Sequence, residues 1–298
     1  MRIGFSLPQL GALAHQADGI AGFAREAEGL GAASLWVGDR LLAPVSPEVG
    51  YPPGADTIPD EFHRILDPFA LLSAAAAATE KVLLGSNVLN APWYPPALLA
   101  RSLTTIDVMS RGRLLAGFGV GWSPEEFRAA GIPLRERGVR LDEGLEALKR
   151  LWTDDVAEFD GEHWSVPPTH ARLKPIQRPH PPVYLGGFAP AALRRIARSA
   201  DGWLPILPVP GDVDPAAAVA APMRQIRQMA EEAGRDPGGL GLILRVYPDH
   251  TATLDQIVTT IRRARDEAGV EHALVDLMFL GTDFDHVLEM AGYILRRV

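Results

Sequence analysis

The sequence predicts an α/β chain folded as a (β/α)8 TIM barrel, and three observations carry that prediction. Short apolar, β-rich runs alternate with amphipathic stretches from one end of the 298 residues to the other. Eight such pairs fit a chain of this length better as a barrel than as a doubly wound open sheet, the runner-up, which usually needs fewer strands. A composition that is 47% hydrophobic, with 29 Gly and 26 Pro, can bury the large core that a barrel requires.

The elements follow in order. IGFSL (3–7) is the first strand, and the chain enters it with no charged leader or cleavage site, from which a cytoplasmic protein is expected. Ile20, Phe23, Ala24, Ala27 and Leu30 then share one helical face. SLWVG (34–38) is the second strand, and the Pro-, Asp- and Gly-rich stretch 40–66 after it is too long for an ordinary connection. A helix over 67–79 includes LLSAAAAAT, which is too short and too weakly apolar to span a bilayer. KVLLGS (81–86), a helix over 95–109 and RLLAGFG (113–119) come next. Leu141, Leu145, Leu148 and Trp152 define the fourth helix, whose charged start RERGVRLDEG (135–144) reads as solvated, and 153–181 is a second insertion. PVYLG (182–186), GWLPI (202–206), LGLILRVY (240–247) and HALVDLMF (272–279) complete the strands, with helices over 190–199, 214–233, 254–268 and 284–297. The whole chain, 1–298, reads as one domain with insertions after strand two and helix four.

Charge and residue usage narrow the function. With 29 Lys and Arg against 37 Asp and Glu, a net charge of −8 and no basic stripe, neither nucleic acid nor a membrane is expected as a partner. The absence of cysteine excludes disulfides, thiolate metal sites and a cysteine nucleophile. His15, His250, His272 and His286 lack partners at metal spacing, so no metal site is expected, and His63 reads as polar surface of the first insertion.

In a barrel the chemistry sits where strands end. Gly117, Gly119 and Gly121 leave strand four, which means either close approach of a flat ligand or a strand bending at the rim. Asp39, ending strand two, is either an acceptor for a ring or substrate or a loop carboxylate capping a turn. Arg40 stays protonated, so it can orient an anion or polarise a carbonyl but cannot exchange protons. Gly186, Gly187 and Phe188 open backbone N–H groups just before a helix begins at Pro190, where an anion fits. Arg194, Arg195, Lys174, Arg178 and His180 add positive charge nearby. Trp93, Tyr94, Trp122 and Trp203 either wall a pocket or pack the core. Ser110, Gly112 and Arg113 precede strand four and are expected on the opposite face as turn and stability residues.

Three segments in this order, LGSNVLNAPWYPP (84–96), RGRLLAGFGVGW (111–122) and PPVYLGGFAPAALRR (181–195), resemble the bacterial luciferase-like superfamily of flavin- and deazaflavin-dependent oxidoreductases, over about residues 2 to 205. At WVGDR (36–40) the chain is similar to the branch of glucose-6-phosphate dehydrogenases that use coenzyme F420. There the aspartate matching Asp39 touches the deazaflavin, a catalytic histidine stands where this chain has Arg40, and a glutamate proton donor stands where it has Trp122. Both departures argue against sugar-phosphate oxidation. The resemblance also implies a cis peptide at Asn87–Val88, forming a bulge against the central ring. It implies a cofactor set of Asp39, Ser86, Asn87 and Val88 at the ring, Gly119, Val120 and Gly121 beside it, and Gly186, Gly187 and Phe188 at the phosphate. Asp39 and Arg40 are then the residues expected at the reacting end. Coenzyme F420 is the expected cofactor, with FMN as the alternative, and the expected reaction is hydride transfer with a small organic substrate. An FMN-dependent monooxygenase and a non-catalytic cofactor-binding protein are the other readings, and a homodimer is the expected assembly.

Overall fold

The computed structural model describes residues 1–51 and 55–298. Five strands, β1 (Arg2–Ser6), β2 (Ser34–Val37), β3 (Leu83–Ser86), β4 (Leu114–Gly119) and β5 (Val183–Gly186), lie side by side in sequence order and all run parallel. Their register steps Ser34 to Leu83, Leu84 to Leu114 and Ala116 to Val183. Strand β6 comes in two pieces, Gly202–Leu204 and Ile206–Val209, because Pro205 has no N–H to give the ladder. Strand β7 is matched to it as Gly241–Leu242 and Leu244–Pro248. The first pieces pair with each other and with β5, whereas the second pieces pair with each other and, through β7, with β8 (His272–Val275). Backbone bonds from Ile243 N to Trp203 O (3.1 Å) and from Arg245 N to Pro205 O (2.8 Å) join the two halves, and β8 returns to β1. The predicted barrel therefore closes.

Helices α1 (Ile20–Gly29), α2 (Pro68–Ala78), α3 (Pro96–Met109), α4 (Arg137–Thr153), α5 (Pro190–Ser199), α6 (Ala221–Glu232), α7 (Leu254–Ala268) and α8 (Phe284–Leu295) alternate with the strands. Each buries its apolar stripe in a continuous layer against the barrel wall. Inside the barrel, Trp36, Leu115, Leu204, Ile243 and Leu274 form a separate buried cluster. Trp36 fits only because Gly85 has no side chain, since a Cβ there would lie 2.3 Å from its ring. Its indole N–H donates to Ser34 Oγ (2.7 Å), which lies 2.7 Å from His272 Nε2. Burial, helped by Arg2, lowers the His272 pKa to about 4 and keeps this interior ring neutral.

Three outcomes differ from expectation. Stretch 153–181 contains an antiparallel hairpin, Val156–Asp160 with Ser165–His170, whose first strand alternates exposed and buried residues over α4. The strand predicted to run to 279 stops at Val275, so Asp276 stands at a strand end. Lys174, Arg178 and His180 lie on the rim opposite the strand exits, because the segment that leads into β5 starts from the barrel's N-terminal side. There Lys174 Nζ donates to the carbonyls of Leu151 (3.0 Å) and Asp154 (2.6 Å) at the end of α4, and Asp107 accepts from Ile176 N (2.6 Å).

The same rim holds Arg113, in the place expected for it. Its Nε donates to Ser110 O (2.7 Å), Nη1 to Thr79 Oγ1 (2.9 Å) and Val82 O (2.5 Å), and Nη2 to Ala76 O (3.1 Å) and Thr79 O (2.8 Å).

Candidate active site

At the C-terminal ends of the strands a cavity of about 270 Å³ opens, at the low end for ligand pockets and suited to the ring end of a cofactor more than to a whole one. Its floor and sides come from the exits of β2 to β5, from Leu204 and Ile206 in β6 and from Arg245 in β7. Tyr51 and Phe62, from the insertion 40–66, form its roof. A larger groove of about 920 Å³ between α1 and α8 is open to solvent on the outside of the barrel and carries no strand-end residue.

The glycines of β4 make room for the neighbouring strand. A Cβ on Gly117 would lie 1.8 Å from the Ser86 carbonyl oxygen, and one on Gly119 would lie 2.5 Å from Val88 Cγ2. Gly121 has a φ of 72°, a conformation that glycine adopts without strain. The Asn87–Val88 peptide is cis. Val88 is held between Gly119 and Gly186, whose Cβ would lie 3.3 Å from Val88 Cγ1, while Asn87 forms part of the cavity wall. Asn87 Nδ2 is buried and has no hydrogen-bond partner among the described residues. Ser86 does not reach the cavity, because its hydroxyl is bound to β4, donating to Gly117 O (2.8 Å) and accepting from Gly117 N (3.0 Å).

Asp39 lines the cavity, yet both of its oxygens are engaged. Asn90 N donates to Oδ2 (2.8 Å), the Tyr94 hydroxyl lies 3.1 Å from each oxygen, and Asn90 Nδ2 donates back to the Asp39 carbonyl (3.0 Å). Burial raises its pKa to about 6 against these hydrogen bonds. Asp39 thus ties the β2 exit to the β3 exit, and Tyr94 serves it rather than walling a pocket.

Arg40 stacks 4.4 Å from the Trp122 ring centroid and 5.0 Å from that of Phe62. Behind it sits Glu126, 1% exposed, with Oε1 3.1 Å from Arg40 Nε. The same carboxylate accepts from Leu41 N (2.6 Å) and Leu42 N (3.3 Å). Burial draws the Arg40 pKa below its ordinary value while Glu126 opposes the shift, and burial raises Glu126. Across the cavity Arg245 is hydrogen-bonded to Asp276. Burial disfavours the Arg245 charge, but Asp276 together with Tyr51 and Tyr247 outweighs this, and the net shift is upward. Neither Glu126 nor Asp276 stood out in the sequence. The signal was present for Asp276, a lone carboxylate in the run HALVDLMF, whereas Glu126 in PEEF looks like any first-turn helix acid.

Gly186 and Gly187 line the cavity below the start of α5, and the N–H groups of Gly187, Phe188 and Ala189 meet no backbone acceptor among the described residues. Trp203 Nε1 donates to Gly187 O (2.9 Å) and fixes this turn. Phe188 leaves the cavity and lies half exposed with its ring against Trp203. Of the expected arginines, Arg195 is engaged elsewhere, donating to Asp142 (2.7 and 3.0 Å) on α4, and Arg194 is exposed and does not line the cavity. Trp93 packs in the core against Phe127, and His63 is exposed and does not line the cavity, although Phe62 beside it does.

A flavin or deazaflavin ring fits these residues. The largely apolar cavity has the Asn87 amide beside it, unpartnered among the described residues, and at one mouth backbone N–H groups without a backbone acceptor among those residues, where a phosphate would lie.

Comparison with known proteins points the same way. A Mycobacterium tuberculosis protein described as uncharacterised is 35% identical over 242 residues, 80% of this chain and 83% of that protein. An FMNH(2)-dependent dimethylsulfone monooxygenase of Pseudomonas putida is 39% identical over 133 residues, 44% of this chain and 36% of its own. The coenzyme F420-dependent glucose-6-phosphate dehydrogenase of Amycolatopsis mediterranei is 30% identical over 186 residues, 61% of this chain and 51% of its own. Among solved structures, the monooxygenase RslO1 of Streptomyces bottropensis superposes with a TM-score of 0.79 at 21% identity, covering 100% of this chain and 98% of that one. The profile of the luciferase-like monooxygenase family matches residues 1–290, and the chain belongs to that family of flavin- and F420-using oxidoreductases and monooxygenases.

Proposed function

We propose that the protein is an oxidoreductase that binds coenzyme F420 and transfers hydride between it and a small organic substrate. The observation that carries this reading is the extent of likeness to the F420-dependent relative, which spans 61% of the chain against 44% for the FMN-dependent one. That likeness is joined by the Trp36–Arg40 segment at the β2 exit. The higher local identity of the FMN-dependent relative, 39%, favours the second reading, a monooxygenase using reduced FMN.

When bound, the deazaflavin supplies the hydride chemistry. The chain's own residues do the rest. Asn87 Nδ2 would donate to the ring, Val88 would support it, and the N–H groups of Gly187 to Ala189 would hold the phosphate. Asp39 positions the β3 exit through Asn90. Arg40 faces the acceptor and polarises it, and Tyr51 and Phe62 exclude water from above.

Fluorescence titration with F420 and FMN tests this reading. F420 is expected to bind with micromolar or tighter affinity, about −8 kcal/mol, and FMN more weakly. Tighter FMN binding together with oxygen-dependent product formation would assign the protein to the monooxygenases. Tight F420 binding with no turnover of any organic acceptor would assign it a non-catalytic binding role.

A further inference from the structure

The arginines of the cavity wall both carry a carboxylate behind them. Arg40 has Glu126 at 3.1 Å and Arg245 has Asp276 hydrogen-bonded to it, so each positive charge is cancelled within the protein and neither is free to neutralise a ligand. Asp39 adds a further carboxylate to the same wall. The unmet demand is for acceptors of another kind. Arg40 Nη1, Asn87 Nδ2 and Arg245 Nε are buried donors with no acceptor among the described residues, and buried donors are rarely left so. The surfaces around Arg40 are apolar rings, Trp122 at 4.4 Å, Phe62 at 5.0 Å, and Tyr51 stacked on Trp122 at 5.4 Å.

We propose that Glu126 makes Arg40 a selector for uncharged carbonyl compounds. The substrate is a small, flat or apolar molecule whose carbonyl oxygen accepts from Arg40, and anions of the same shape are refused because Glu126 already balances the arginine. An uncompensated arginine would prefer a carboxylate or phosphate, through a charge-assisted bond about twice as strong as one between neutral groups. With Glu126 in place, bringing in an anion leaves a net negative charge in a site of low dielectric. Glu126 does not line the cavity and acts through Arg40.

This inference rests on the reading of the cavity as the place where substrate meets cofactor, and it is tested without the cofactor. Acetophenone and benzoate have nearly the same shape and differ in charge. Calorimetric titration of each into the protein at pH 7.5 is expected to show acetophenone binding at least tenfold more tightly. Glu126→Gln keeps an acceptor for the Leu41 and Leu42 N–H groups but removes the balancing charge, so the benzoate-to-acetophenone affinity ratio should rise at least tenfold. Arg40→Met should weaken acetophenone severalfold and give benzoate no gain. Melting temperatures report whether the variants fold, and the preference of the unmodified protein needs no variant. Tighter benzoate binding in the unmodified protein, binding of neither probe, or a ratio unmoved in folded Glu126→Gln would overturn the proposal. Titration with F420 and FMN reads the cofactor assignment separately. Tight cofactor binding without the acetophenone preference removes only the selector, and the preference without cofactor binding removes only the assignment.

Discussion

Burial holds the Asp39 carboxyl up at about 6, against an ordinary value of 3.8, although Asn90 N and the Tyr94 hydroxyl both donate to it. The unfolded chain releases this proton near 3.8 and the folded chain near 6. The stability associated with the neutral form is therefore complete below the lower value and is lost as the pH rises through the upper one. At pH 8 the ionised group costs the fold on the order of 3 kcal/mol. Asp39→Asn keeps an acceptor for the Asn90 N–H and carries no charge, so it should be more stable than the parent at pH 8, with an advantage that shrinks through pH 5 and fades toward pH 4. Urea denaturation of both proteins across that range measures it, and an advantage independent of pH would refute the assignment. At this scale the sequence marked Asp39 and Arg40, both of which line the cavity, while their partners Tyr94 and Glu126 stayed hidden. Those partners lie 55 and 86 positions away from the residues they meet, and periodicity carries no information about such contacts.

At the scale of elements, helix α5 was legible to the residue, because Pro190 starts it and the apolar residues Leu193, Ile196 and Ala197 share one face. The hairpin at 156–170 was not legible, since its alternation spans only a few residues and ordinary turn chemistry surrounds it. The turn into α5 also shows which substitution tests the phosphate site. Gly187 is a poor probe: its φ is 129° and a Cβ there would lie 2.8 Å from Ala192 Cβ, so any side chain strains the fold and confuses stability with binding. Ala189 is better placed, with φ at −62° and ψ at 148°, values that proline adopts freely, and with an N–H that meets no backbone acceptor among the described residues. Ala189→Pro should leave the melting temperature within about 2 °C of the parent, an effect below ~1 kcal/mol. It should weaken binding of the phosphate-bearing cofactor about tenfold, or ~1.4 kcal/mol, by removing one donor. Unchanged affinity in a folded variant would place the phosphate elsewhere.

For the molecule as a whole, the barrel separates binding from stability by face, and this division follows from strand direction alone. Sequence order assigned most residues to the correct rim. The exceptions were Lys174, Arg178 and His180, which were placed near the phosphate although a segment that leads into a strand lies at the opposite end from its exit. Arg113 shows what the far rim does. Arg113, 8% exposed, gathers α2, the start of β3 and the end of α3 through five guanidinium hydrogen bonds, and no carboxylate among the described residues is bonded to it. Removing it leaves several buried carbonyls without donors, and each bond to a charged group is worth ~1.5–3 kcal/mol. Arg113→Met should therefore lower stability by about 3 kcal/mol or more, and the melting temperature by roughly 6–12 °C for a domain of this size. Cofactor and acetophenone affinities, measured below the new melting point, should stay within about twofold of the parent, because the strand exits are fixed independently by Asp39, Ser86 and Glu126. A variant that melts like the parent would show that the clasp contributes nothing. A variant that keeps its stability margin at the assay temperature yet loses ligand binding would show instead that the two rims are coupled through the barrel interior, by way of Trp36, Leu115 and Leu204.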